Sequence, residues 1–260
     1  MLLAIDINNK NTNFGIFKEE KLVTRFSIMT DKNRSTEEIK LTIKLILMDK
    51  KIELTDISDI ILSSVVPELN SSYEGIARDI IGRSPIIISA GVKTGLNIKC
   101  ESPREVGTDR IIRAVAATHR YKENIIIISA SSVTTIDYIN AKKEFLGGLI
   151  LPGISLLQEG LVKGSAKLQL VEIKKVDDII GKNTEKAIQR GIYFGYTRAV
   201  FGIVDEIIKT YSLNKEKTKI LVTGSNAHLL ESEDYPIKEY QSLGIDGLKI
   251  IYDLNKNKAS

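Results

Sequence analysis

The sequence has one cysteine, Cys100, and two histidines, so no intramolecular disulfide can form and no Cys/His cluster has the spacing of a zinc site. That usage fits a reducing compartment, and a cytoplasmic location is the expectation. No window approaches 18 uncharged apolar residues; the richest, Ile125 to Ile128 with its flanks, ends in Ser and Thr. The apolar run after Met1 stops at Asp6 with no basic stretch before it, too short for a signal-peptide core, so no membrane association is expected. Charge of one sign is also scarce. With 37 Lys+Arg against 33 Asp+Glu the formal charge is +4, there are no long basic blocks, and no nucleic-acid partner is expected. What is present, 43% hydrophobic and 27% charged residues, is the composition of a folded core in a solvated shell.

A chain of 260 residues predicts two modest domains. Leu2–Ile7, Asn11–Phe17 and Lys21–Met29 read as three strands of an antiparallel meander. Ser35-Thr36-Glu37-Glu38 is a capping box, followed by Ile39, Ile43, Ile46 and Leu47 at helical spacing. A strand over 57–66 ends at Pro67, and a helix over 69–81 and a strand over 85–89 follow. After a connection over 91–105 and a helix from about Asp109 to Tyr121, three consecutive strands return at 125–130, 132–140 and 144–151. Helices follow over 154–163 and 183–211, then a strand at 219–223 and a terminal helix over 245–255. The second half repeats the first at too long a period for a solenoid. The expectation is an α/β protein of two similar domains, 1–105 and 106–260, with a ligand cleft between them.

Three segments carry chemistry. Asp6-Ile-Asn-Asn-Lys-Asn-Thr12 places a carboxylate at a strand end and amides and a hydroxyl on the return, suited to a metal-bound polyphosphate; read alone, it is equally a polar hairpin turn. The same position in the second half, Ser129-Ala-Ser-Ser-Val-Thr-Thr-Ile-Asp137, is dense in hydroxyls, which ordinary strand ends also show. Asp137 reads there as a solvated strand residue. In Pro103-Arg-Glu-Val-Gly-Thr-Asp-Arg110, Asp109 stands at a helix start as an N-cap or as the acceptor of a substrate hydroxyl proton, with Arg110 beside it for an anionic group. The Gly147-Gly148 and Pro152-Gly153 pairs have spacings for close backbone approaches, and His119 and His228 read as structural or exposed.

Together these segments resemble the type III pantothenate kinases, members of the actin-like ATPase superfamily of acetate and sugar kinases. The resemblance extends through AIDINNKNTNFGIF at the start, SSVVP at 63–67, PREVGTDRI at 103–111, SVTTID at 132–137, LGGLILPGI at 146–154, IGKNTEKAIQRGI at 180–192, VTGSNA at 222–227 and GLKIIYDLN at 247–255. It implies two ribonuclease-H-like domains, a homodimer, and transfer of the ATP γ-phosphoryl to the primary hydroxyl of pantothenate, the first step toward coenzyme A. By the same resemblance Asp109 is the catalytic base. Asp6 positions ATP with Mg²⁺, and Asn8, Asn9, Lys10, Asn11, Thr12, Ser132 and Thr134 line the nucleotide. Cys100, Gly107, Thr108, Asp109 and Arg110 line the pantothenate side, with Thr184 reaching it from the dimer partner.

Departures fall inside the motifs. The first reads Asp-x-Gly-Asn-Thr in the family; here Asn8 stands for the glycine and Lys10 for the threonine. The second reads Asp-x-Gly-Thr-x-Thr-Thr; here Ser129 replaces the acid, Ser131 the glycine and Ser132 the first threonine. A family tyrosine on the substrate side is replaced by Cys100. Since the lost acid ligates K⁺ or NH₄⁺ in the family, the expectation is that the monovalent-cation site is gone and that the Lys10 ammonium stands in for it. The alternative is a catalytically silent relative that binds a ligand or acts as a transcription accessory.

Overall fold

A computed structural model of the chain describes residues 1–256. Two compact units form, and neither is a continuous stretch. The first comprises Met1–Gly95, Ser102–Ala116 and residues 243–256; the second comprises Leu96–Glu101 and Ala117–Ser242.

In the first unit, β1 (Leu2–Ile7), β2 (Asn11–Lys18) and β3 (Lys21–Met29) form the expected meander. Every residue of β1 is buried, the mark of a central strand covered on both faces, whereas β3 alternates exposed and half-buried residues as an edge strand does. α1 (Thr36–Asp49) starts at Ser35, whose Oγ accepts from the Glu38 N–H while Glu38 accepts from the Ser35 N–H, and it buries Ile39, Ile43 and Leu47 along one face. β4 (Asp59–Ser64) lies parallel to β1, and α2 (Asn70–Ile81) ends at Gly82, whose φ of 70° suits a residue without Cβ. The short β5 (Ile86–Ile87) completes a sheet in the order β3-β2-β1-β4-β5. Its core is aliphatic, with Phe14 stacked on Phe26 at 4.7 Å.

The second unit repeats this plan. After β6 (Asn97–Ile98) and α3 (Thr108–Arg120) come β7 (Ile125–Ala130), β8 (Val133–Ile139) and β9 (Glu144–Pro152). α4 (Ile154–Lys163), the 27-residue α5 (Thr184–Thr210), β10 (Lys219–Thr223) and β11 (Ile237–Glu239) follow. The sheet order is β11-β10-β7-β8-β9-β6, the first unit's order of two parallel strands and a meander with β6 added at the edge. One sheet face packs on α5 through Ile126, Ile128, Ile136, Ile220 and Val222 against Tyr196, Val200 and Val204. Between α4 and α5 the backbone has no regular element and is tied down by side chains. Gln158 accepts from the Val171 N–H, Gln189 donates to the Glu172 carbonyl and Arg190 to the Asp178 carbonyl, at 2.9, 2.8 and 2.7 Å.

The expected division at 105/106 differs from this packing. α3 straddles the units, and the terminal helix α6 (Leu243–Asn255) returns to the first sheet, where it packs on β1, β2 and β4. Gly247 lies so close to the Ile112 carbonyl that no Cβ fits between them. An apolar helix face is buried wherever a sheet face is open to it, regardless of sequence distance.

Candidate active site

In the first unit the chemistry collects at the carboxyl ends of the parallel strands β1 and β4, the usual ligand edge of an α/β sheet. Asp6, next to last in β1, is 3% exposed. Its Oδ2 accepts from Asn8 Nδ2 at 2.8 Å; its Oδ1 is buried and, among the described residues, has no hydrogen-bond partner. Burial lifts the Asp6 carboxyl above the usual aspartate range; the Arg113 guanidinium and the amides of Asn8 and Asn13 pull the other way without cancelling it. Gly244, at the start of α6, approaches the same carboxylate, since a Cβ there would stand 3.0 Å from Oδ2.

The second acid is set by the start of α3. Ser63 Oγ donates to Thr108 Oγ1 at 2.9 Å and Thr108 Oγ1 donates to the Ser64 carbonyl at 3.0 Å, pinning the helix start to the end of β4. The next residue, Asp109, has an 18% exposed side chain and accepts from Arg113 Nη1 at 2.7 Å, one helical turn along. A Cβ on Gly107 would lie 2.7 Å from Asp109 Oδ1, so a glycine lets the carboxylate turn back over the helix start. Arg110 is half-buried on the same turn. Asn9, Lys10 and Asn11 are exposed on the β1–β2 turn, whereas Thr12 is fully buried with Oγ1 2.9 Å from Thr30 Oγ1.

In the second unit the β7–β8 hairpin carries the hydroxyl-rich motif. Ser129 pairs with Thr135 and Thr223, and directly opposed residues share a sheet face. On that face Thr135 Oγ1 donates to Asp137 Oδ2 at 3.3 Å. Asp137 is buried, not solvated. Thr134 faces the opposite way, into the core, with Oγ1 2.7 Å from the Tyr196 hydroxyl. The turn residues Ser131 and Ser132 are half-exposed. The Gly153 N–H bonds the Ser132 carbonyl at 2.8 Å and the Asn226 N–H bonds the Ala130 carbonyl at 2.9 Å. Gly153 and Gly224, the latter at φ 102°, sit against this backbone where a Cβ would overlap it. Gly148 likewise has no room for a Cβ beside the Ile136 carbonyl and Asp137. Cys100 is half-buried beside Gly147, and Thr184 is exposed at the first turn of α5.

The donors fit one kind of metal and not another. A buried carboxylate oxygen without a partner suits a hydrated Mg²⁺ brought with a triphosphate, and among the described residues no group of three His, Cys, Asp or Glu could hold a metal by itself. At position 129 the donor is a neutral hydroxyl, a poor replacement for a cation-binding carboxylate.

Arg113, Thr135, Gly244 and Asn226 were not singled out by sequence reasoning. Arg113 was legible in principle, four residues after Asp109 on a helix. Gly244 was not, because only the return of α6 brings it to Asp6.

The family model of type III pantothenate kinases matches residues 2–206. A type III pantothenate kinase of Exiguobacterium sibiricum is 39% identical over 257 residues, covering 98% of this chain and all of that one. One of a Geobacillus strain is 40% identical over 259 residues, covering 99% of each. A hexokinase of the ROK type from Thermus thermophilus superposes with a TM-score of 0.55 at 11% identity, covering 99% of each chain, which shows the shared actin-like fold. With the match running nearly end to end, the chain belongs to the type III pantothenate kinase family.

Proposed function

We propose that the protein transfers the γ-phosphoryl of ATP to the primary hydroxyl of pantothenate. The observation that carries this reading is the pair of acids in the first unit, each held for a different task. Asp6 is buried with one oxygen bonded to Asn8 and the other uncommitted, suited to a metal-bound phosphate. Asp109 is partly exposed and aimed by Gly107 and Arg113, suited to accept the hydroxyl proton. Mg²⁺ supplies charge neutralisation on the transferred phosphoryl when bound. The residues of this chain bind, orient and take the proton. Asn9, Lys10 and Asn11 offer exposed donors on the first turn, and Ser131 and Ser132 backbone and hydroxyl groups on the second. Arg110 holds the pantothenate carboxylate. Thr12, Thr108 and Thr134 serve the fold, since their hydroxyls are committed to the Thr30 hydroxyl, the Ser64 carbonyl and the Tyr196 hydroxyl.

The reaction runs without a monovalent cation, the Lys10 ammonium supplying the charge. The working form is a homodimer, supported by the apolar surface of β9 and α4, where Leu149, Ile150, Leu156 and Leu161 are exposed. Thr184 reaches the partner's substrate.

Purified protein with ATP, Mg²⁺ and pantothenate, assayed beside Asp109→Asn, tests the reading. Turnover that falls at least 1000-fold in the variant, by the order expected for loss of a general base on top of its positioning, supports it. Absence of turnover in the unaltered protein refutes it and favours the silent relative.

A further inference from the structure

Asp6 and Asp109 belong to different elements, the end of β1 and the start of α3, yet they are linked by two residues. Asn8 Nδ2 donates to Asp6 Oδ2 at 2.8 Å, and Asn8 Oδ1 accepts from Arg113 Nη2 at 3.4 Å. The other end of the same guanidinium, Nη1, donates to Asp109 Oδ2 at 2.7 Å. The Arg113 side chain is only 11% exposed, so the fork is held in place. An amide is suited to the middle of such a chain because it gives a donor to the carboxylate on one side and an acceptor to the guanidinium on the other. Glycine at position 8 would remove the Asn8 acceptor from Arg113 and the Asn8 donor from Asp6 Oδ2.

We infer that Asn8 and Arg113 are positioning residues that couple the phosphate-binding acid to the proton-accepting acid, through the bridge Asp6–Asn8–Arg113–Asp109. The inference rests on the phosphotransfer reading and adds residues to it. Asn8 fixes which oxygen of Asp6 is used internally and so leaves Oδ1 for the metal-bound triphosphate. Arg113 fixes the direction of Asp109. Arginine is required because one planar fork serves two acceptors at once, whereas a lysine ammonium supplies the charge from a single point. The long 3.4 Å contact makes the Asn8–Arg113 link the adjustable joint of the chain.

The test is a double-mutant cycle on the full-length protein with Asn8→Gly and Arg113→Lys, reading kcat and KM separately, with thermal unfolding as a check of folding. Arg113→Lys is expected to lower kcat about 10-fold with KM for pantothenate within about threefold, although the charge is kept. Asn8→Gly is expected to lower kcat and raise KM for ATP. The double variant is expected to be no worse than the poorer single variant, because either change breaks the same chain. Wild-type kcat in Arg113→Lys, or losses that multiply in the double variant, overturns the bridge while leaving the phosphotransfer reading intact. If the unaltered protein does not turn over pantothenate, that reading fails and the cycle is read from Mg²⁺·ADP affinity by calorimetry. Coupled losses there still support the bridge, and multiplying losses or no nucleotide binding overturn it.

Discussion

Replacing Asp6 with asparagine separates stability from function at one atom. The folded protein keeps a carboxylate almost out of water, with Oδ1 unpartnered and the group's pKa raised because burial outweighs the pull of Arg113 and Asn8. A buried polar atom left without a partner costs about 1–3 kcal/mol, more for a charged group. Asparagine is nearly isosteric, its carbonyl can accept from Asn8, and the buried charge is gone; the lost attraction to Arg113, and an Nδ2 left without an acceptor in the place of Oδ1, take back part of the gain. The net expectation is about 1–2 kcal/mol of added stability at neutral pH, a rise in Tm of about 2–8 °C for a chain of this size. The pH dependence has a definite sign. Since the folded pKa lies above the unfolded one, the unfavourable contribution is absent below the unfolded value, grows as pH rises from it toward the folded one, and is complete above that. The advantage of Asp6→Asn therefore grows with pH above the ordinary aspartate range and shrinks as pH falls toward it. Denaturant titrations of both proteins at pH 7.5 and in mild acid, with turnover measured alongside, check this. An asparagine variant that is less stable at neutral pH, or one that keeps wild-type turnover, refutes the reasoning.

Other outcomes follow from particular contacts. Thr134→Val strands the buried Tyr196 hydroxyl and is expected to lower stability by about 1–3 kcal/mol while leaving kcat within about threefold; denaturation and steady-state assays together check both parts. Gly247→Ala drives a methyl into the Ile112 carbonyl and is expected to cost at least about 2 kcal/mol, read as a lowered denaturant midpoint. Lys10→Ala is expected to lower turnover without rescue by added K⁺, since Ser129 offers the ion no carboxylate; unaltered activity that itself rises steeply with K⁺ removes the idea that the ammonium substitutes for the ion. Ile150→Asp on exposed β9 is expected to convert a dimer to a monomer in sedimentation without a loss of helix signal; an unchanged sedimentation coefficient places the interface elsewhere.

Much of the fold was legible because its signals are local. The Ser35–Glu38 box, the break at Pro67, and the runs Leu2–Ile7 and Ile125–Ala130 each depend on neighbours a few residues away. The duplication was legible for the same reason, and the two sheets share the strand order it implied. β6 and β11 are two or three residues long and owe their form to the strand beside them, so no local pattern announces them, whereas the apolar run over 85–89 marks β5. The identity of the acids was likewise visible in the motifs, but the direction of the hydroxyls beside them was not. Thr12, Thr108 and Thr134 all read as ligand contacts, and each spends its hydroxyl inside the unit.

The sequence alone determined the strand and helix order, the repeated domain plan and the two acids, Asp6 and Asp109, proposed for phosphotransfer. Only tertiary structure decided that α6 closes on the first sheet, that Gly244 reaches Asp6, that Arg113 links Asp109 to Asn8, and that one oxygen of a buried carboxylate is left uncommitted. The reason is physical. Helix and strand periodicity arise from backbone geometry within a few residues, whereas burial and hydrogen-bond partnership depend on which distant segments fill the remaining space.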